Sequence, residues 1–206
     1  MFKEGQFRHS LELSLVKLPQ DVLLEYEQVR APIFTYDAYY GLPKDFQAEL
    51  RFTTVIFFTN HIALGAKWAH DWGRLHASVG DDMAYMWGHL DNGAVKTFDN
   101  SIKGWFNYPN ISVGYAFDNF ALSMKAELNI ITTLTTFSDG IKLSTDANIF
   151  NGGAVGVYLE QPLWKDHFIN LGFKANYITF YYPSWPMFPV YTKHYFIPEF
   201  ILGFHL

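Results

Sequence analysis

Apolar and polar residues trade places at every second position over most of this chain. From 46 to 58, Phe46, Ala48, Leu50, Phe52, Ile56 and Phe58 fall on one side, and Gln47, Glu49, Arg51 and Thr53 on the other. A period of two is the mark of a strand with two different faces. The pattern returns at 61–69 (Ile62, Leu64, Ala66, Trp68), 111–117 (Ile111, Val113, Tyr115, Phe117) and 120–137 (Phe120, Leu122, Met124, Ala126, Leu128). It returns again at 155–163, at 169–181 and through the C-terminus, where Phe200, Leu202, Phe204 and Leu206 alternate with Glu199, Gly203 and His205. A weaker run at 7–18 sets Leu11, Leu13 and Leu15 against Ser10, Glu12 and Ser14. Only DVLLEYEQVR, 21–30, fits a helix as well as a strand: Val22, Leu23, Tyr26 and Val29 approximate one helical face.

Asn and Asp pairs punctuate these runs. Thr59-Asn60, Asp118-Asn119 and Lys165-Asp166 read as two-residue hairpin turns, each flanked by aromatic rings. The alternate connections are long, at about 19–45, 70–104, 138–148 and 182–192, and hold most of the prolines. The apolar faces are large and nearly free of charge. The opposite faces are built of Gly, Ala, Ser and Asn with scattered charges, which suits a narrow lumen better than a solvated surface. In a soluble barrel the apolar face points inward; in a membrane barrel it meets lipid.

Short turns at one end, long loops at the other and rings at the strand ends resemble a small bacterial outer-membrane β-barrel. The resemblance is architectural and matches no particular family. The last strand, YFIPEFILGFHL, resembles the C-terminal assembly signal of such proteins, ending in Leu206 where Phe is usual. What it implies is an all-β fold: a single antiparallel up-and-down transmembrane β-barrel over 1–206. The setting would be the Gram-negative envelope, with loops at the cell surface and an aromatic girdle at the membrane boundary. Membrane lipid and lipopolysaccharide would surround it, and a larger outer-membrane complex would be a possible protein partner. The N-terminus, MFKEGQFRHS, has no apolar core of a signal peptide, so this localisation implies a leader already removed. A soluble lipocalin-like carrier of an apolar ligand is the competing architecture.

Eight strands is the preferred count: 7–18, 46–58, 61–70, 105–117, 120–137, 149–164, 167–181 and 193–206. The segments 22–40 and 74–89 lack a strong lipid-facing pattern and read as loops. Taking Gly80-Asp81-Asp82 as a further turn gives ten strands, and splitting 19–45 gives twelve. An eight-stranded lumen is filled by side chains. The inward charges are then Glu12, Glu49, Arg51, Lys67, Lys125, Glu127, Glu160, Lys174 and Glu199, and their near balance predicts an internal ion-pair network.

Composition narrows the chemistry. Hydrophobic residues make up 50% and charged residues 17%, with a formal charge of −5 and no basic run, so nucleic acid is not an expected partner. The absence of Cys excludes disulfides and thiol chemistry. No cofactor or metal site is expected. The stretch 70–91 gathers His70, His76, Ser78 and Asp81, residue types that a hydrolase combines. Exposed polar loop residues are the plainer reading, so a barrel enzyme acting on lipid A or another envelope substrate stands as the alternative. In YPSWPMFPVYTKH, the rings and thioether of Trp185, Met187, Phe188 and Tyr191 would form an adhesive surface. The preferred function is non-enzymatic: a filled barrel that presents its outer loops to a partner protein, a glycan or a larger envelope complex.

Overall fold

The computed structural model describes residues 4–19, 30–56, 58–91, 99–138, 140–143, 149–164, 167–187 and 193–206. Residues 21–29 of the ambiguous segment 21–30 and the Lys165-Asp166 turn lie outside the described residues. Eleven strands follow in chain order: β1 (Phe7–Lys17), β2 (Arg30–Gly41), β3 (Phe46–Val55), β4 (Thr59–Trp72), β5 (Leu75–Asp91), β6 (Asp99–Ala116), β7 (Ala121–Ser138), β8 (Ile141–Leu143), β9 (Phe150–Pro162), β10 (Phe168–Ile178) and β11 (Tyr195–His205). All pairings are antiparallel. Neighbours in sequence pair from β1 to β7, then β7 with β9, β9 with β10 and β10 with β11. The ring closes where β11 pairs with β1, Leu13 opposite Leu202. Ten strands thus form a closed barrel, and β8 extends β7 beyond the end of β9.

The count is ten, not the preferred eight. The two added strands, β2 and β5, fall in the segments 19–45 and 70–104 expected to be loops. Their alternation is blurred from both faces. In β2 the outward residues include Tyr36 and Tyr40, which score as polar. In β5 an outward Asp81 interrupts Val79 and Met83, while Met86 and Ala84 are buried inward. Adding these strands also moves turns. Gly80-Asp81-Asp82 lies within β5, and the reversal is at Gly73-Arg74, where Gly73 has φ of 70°.

The Thr59-Asn60 reading is also corrected. The chain has already reversed by Phe58, whose amide donates to the Val55 carbonyl at 3.1 Å, and Thr59 belongs to β4. Asn60 instead faces Thr54 across the hairpin, accepting from its hydroxyl at 2.9 Å. With ten strands this turn sits at the end opposite the termini. The terminal end carries the reversals at 42–45, 73–74 and 117–120, and there Leu163 pairs with His167, the Leu163 amide donating to the His167 carbonyl at 2.9 Å. At Asp118-Asn119 the turn is where the sequence places it, closed by the Phe117 amide on the Phe120 carbonyl at 2.8 Å.

The outer wall is apolar. Leu64, Ile111, Leu128, Tyr177 and Phe200 are all about half exposed or more. That is the inverse of a soluble barrel, which hides such residues and exposes charge. Many outward rings gather toward the two ends of the wall: Phe46, Trp68, Trp72, Tyr115, Phe117 and Phe120 in a terminal band, and Trp87, Trp105, Tyr177 and Phe196 in a distal band, with Phe173 and Phe200 packed together between them. The core is the lumen, and it is split. Its distal half is largely apolar, with one cluster around Val16, Ile33, Val55, Tyr181 and Ile197 and a second around Met86, Ile102, Phe106, Phe180 and Trp185. Its terminal half is polar.

Candidate functional site

The polar half of the lumen is organised by cross-strand register. Asp37 on β2 lies opposite Arg51 on β3, and the guanidinium Nε donates to its carboxylate at 2.7 Å. The same guanidinium reaches Glu49, two residues along its own strand, at 2.6 Å through Nη2. Lys67 on β4 donates to the other oxygen of Glu49. On the facing wall, Glu127 of β7 receives both Lys125 at 3.2 Å and Lys174 at 2.5 Å.

Lys174 is on β10, two strands away from β7. It reaches Glu127 because the intervening β9 presents only Ala154 and Gly156 at those registers. Glycine does the same work on β4, where Gly65 leaves room for the Asp82 carboxylate opposite it. The Tyr158 ring, in turn, lies across Gly156 and Gly172. Buried charges are tolerated when paired and hydrogen-bonded, and breaking one pair is costly. Of the other expected lumen charges, Glu199 accepts from Asn176 at 3.4 Å, while Glu12 and Glu160 line the cavity between the walls. Asp37 and Asp82 belong to the same interior. Sequence reading missed both because they lie on the two strands taken for loops.

This cavity has a volume of about 260 Å³ and continues into a vestibule of about 400 Å³ that reaches Arg8, Gln47 and Asp71 toward the terminal end. Its ceiling is made by Tyr181, Tyr182 and Pro183. After β10 the chain turns back into the barrel mouth, and residues Tyr182–Met187 form a short 3-10 helix. Trp185 is only 5% exposed and seats its indole over Gly88, where any larger side chain would collide with it. Tyr182 stacks on His61, centroids 4.4 Å apart and 13° from parallel. His61 and the Tyr108 hydroxyl lie within hydrogen-bond distance at 3.2 Å.

Asn151, fully buried at the start of β9, holds the entering chain. Its amide donates to the Phe180 carbonyl at 2.8 Å, and its oxygen accepts from the Phe180 amide at 2.7 Å and the Thr179 hydroxyl at 2.7 Å. Trp185 is therefore inside the barrel and not on an adhesive loop surface. The Met187 side chain, Phe188 and Tyr191 lie outside the described residues.

The four hydrolase candidates divide between the two faces of the wall. His70 is outside, between Trp68 and Trp72, with Nδ1 at 2.8 Å from Asp45. His76 and Ser78 point into the vestibule. His76 Nδ1 is 2.7 Å from Asp71, directly opposite it across β4 and β5. The Ser78 hydroxyl is bonded to that of Ser112 at 2.6 Å. Asp81 is on the outer wall. Among the described residues no group of three His, Cys, Asp or Glu could hold a metal ion. Beyond Asp37 and Asp82, the sequence also did not single out His61, Tyr182 and Asn151, each of which acts through a partner far away along the chain.

No protein-family model and no curated protein sequence matches the chain. Among solved structures it is similar to the translocator domain of the autotransporter NalP from Neisseria meningitidis. That match has 13% identity and a TM-score of 0.50, covering 97% of this chain and 87% of that one. It is also similar to the NanC porin (10% identity, TM-score 0.46, covering 94% and 98%) and the KdgM porin (7%, 0.42, covering 95% and 97%). At such identities the likeness is one of fold. The architectural resemblance to bacterial outer-membrane β-barrels, read from the alternation, extends to their solved structures.

Proposed function

We propose that this chain spans the bacterial outer membrane as a barrel closed to free passage, and that it works through its surfaces without catalysing a reaction. The outward apolar wall bounded by two bands of rings supports the membrane setting. Among the described residues no helix is long and apolar enough to cross a membrane, so a crossing would be made by strands. The observation that carries the closed reading is the inward-folded segment 179–187. Asn151 anchors it, and the apolar clusters around Phe106, Phe180 and Trp185 seal the distal half of the lumen. Ions need a continuous wet path, and an apolar constriction of this kind opposes one. The paired charges below it fill the waist and brace the wall. The distal connections are then what the protein offers to a partner protein, a glycan or a larger envelope complex.

The test is reconstitution of the full chain in planar bilayers. Protein that requires detergent and migrates faster unboiled than boiled on a gel is the expected starting material. It should give no steady single-channel current. A large, stable conductance would overturn the closed reading, and a monomer soluble without detergent would overturn the membrane setting itself.

A further inference from the structure

Asp81 is out of place by the rule that builds the rest of the outer wall. Its strand presents Leu75, Ala77, Val79, Asp81, Met83, Tyr85 and Trp87 outward, and Asp81 is the one charge among them. Its register partners are Ala66 on β4 and Pro109 on β6, neither of which can pair with a carboxylate. Asp81 lies six residues from Leu75, which sits beside Trp72 in the terminal band, and six from Trp87 in the distal band. Tilted strands climb about 2.5 Å per residue, so this carboxylate sits ~15 Å from the outermost rings, Trp72 and Trp87, and near mid-bilayer; Trp68, opposite Val79, lies between it and the terminal rim. The ion pairs of the described residues lie in the lumen or near the strand ends, and none includes Asp81.

Two further features adjoin it. Asn107, opposite Met83 and one diagonal step from Asp81, has a buried side-chain oxygen with no hydrogen-bond partner among the described residues. Starting from Val79 and Pro109, next to Asp81, a groove of about 650 Å³ crosses β6, β7, β9 and β10 on the outer wall; Ala126, Gly153 and Ala175 line it together with the larger Ile111, Leu128 and Tyr177. Small residues let another backbone approach closely inside a membrane, and an intramembrane charge marks a site with a specific partner.

Building on the membrane reading above, we infer that this face of the barrel docks a membrane-spanning segment of a second protein that carries a basic side chain at mid-bilayer depth. The basic group meets Asp81 and the segment lies in the Ala126–Gly153 groove. A second copy of this chain does not fit. It would set Asp81 near Asp81, and the outward cation nearest on this face, Lys103, is six residues up β6 beside the Phe137 ring.

The test uses the full chain in phosphatidylcholine vesicles with synthetic Leu/Ala helices of membrane-spanning length, labelled for energy transfer. One helix carries a central Lys, one a central Leu and one a central Glu. The central-Lys helix should associate at least tenfold more tightly than the other two. Asp81→Asn and Asp81→Leu should erase that preference, and Ala126→Trp, which fills the groove, should weaken the central-Lys helix without touching Asp81. Equal binding of the three helices, or a preference that survives Asp81→Leu, would overturn the proposal, as would Asp81-dependent self-association. Because the chain has no Cys, Asp81→Cys can carry a single fluorophore. Quenching by nitroxides deep in the acyl chains is expected. Its absence would overturn the membrane reading, whereas quenching without helix preference overturns only the docking.

Discussion

Replacing Asn151 with Ala tests what keeps the distal mouth shut. The side chain makes three hydrogen bonds to the entering segment, and all of its atoms are buried. Alanine leaves the Phe180 amide and carbonyl and the Thr179 hydroxyl without those partners. A buried polar group left unsatisfied costs about 1–3 kcal/mol, so three set a range of ~3–9 kcal/mol. The Thr179 amide keeps its bond to the residue 151 carbonyl at 2.9 Å, and the segment can shift to recover part of the lost bonding. The expectation is therefore the low end, about 3–4 kcal/mol. Burial of Phe180, Tyr181 and Trp185 remains, each worth roughly 1.5–3 kcal/mol, so the barrel itself stays folded. Thr179→Val removes one bond at constant shape and should lose only about 1 kcal/mol. Urea unfolding in phospholipid vesicles, followed by Trp fluorescence, measures both variants. Planar bilayers should then show intermittent opening for Asn151→Ala and none for Thr179→Val. An Asn151→Ala protein that stays closed and lies within ~0.5 kcal/mol of the parent would refute the clamp.

Two further outcomes follow from the wall. Glu127→Gln leaves Lys125 and Lys174 facing each other unpaired and should cost about 3–5 kcal/mol, whereas Lys174→Met leaves Glu127 paired with Lys125 and should cost less. In a double-mutant cycle by urea unfolding the two should couple by at least ~1 kcal/mol; additivity would mean the pair contributes nothing specific. At the 42–45 turn, Lys44 has φ of 59° and Asp45 of 66°. Lys44→Asn should raise the urea midpoint by up to ~1 kcal/mol in stability, since Asn accepts the left-handed region more readily. A lower midpoint would show that this turn is not under strain.

The parts of the fold legible in the sequence are those governed by neighbours two residues apart. Phe120, Leu122 and Met124 against Ser123, Lys125 and Glu127 could be assigned to faces because a strand sends alternate side chains to opposite sides, whatever it pairs with. The inward charges Glu49, Arg51, Lys67, Lys125, Glu127 and Lys174 were legible for the same reason. β2 and β5 were not. Tyr36 and Tyr40 point outward with Phe34, since most of the tyrosine ring is apolar, yet they count as polar in an alternation. Asp81 breaks its strand's outer face, and Met86 and Ala84 belong to an inner face that is largely apolar at that height.

By itself the sequence determined that the chain is a set of two-faced strands, one face apolar and the other polar, and it favoured turning the apolar face outward. Local periodicity and side-chain chemistry suffice for that. Only the tertiary structure decided that ten strands close the ring, which walls Arg51 and Lys174 join, and that Asn151 draws residues 179–187 into the mouth. Those outcomes depend on which strands become neighbours and on whether a glycine such as Gly65, Gly88 or Gly156 opposes a large side chain. Such pairings join residues far apart along the chain, and no short window of the sequence contains both partners.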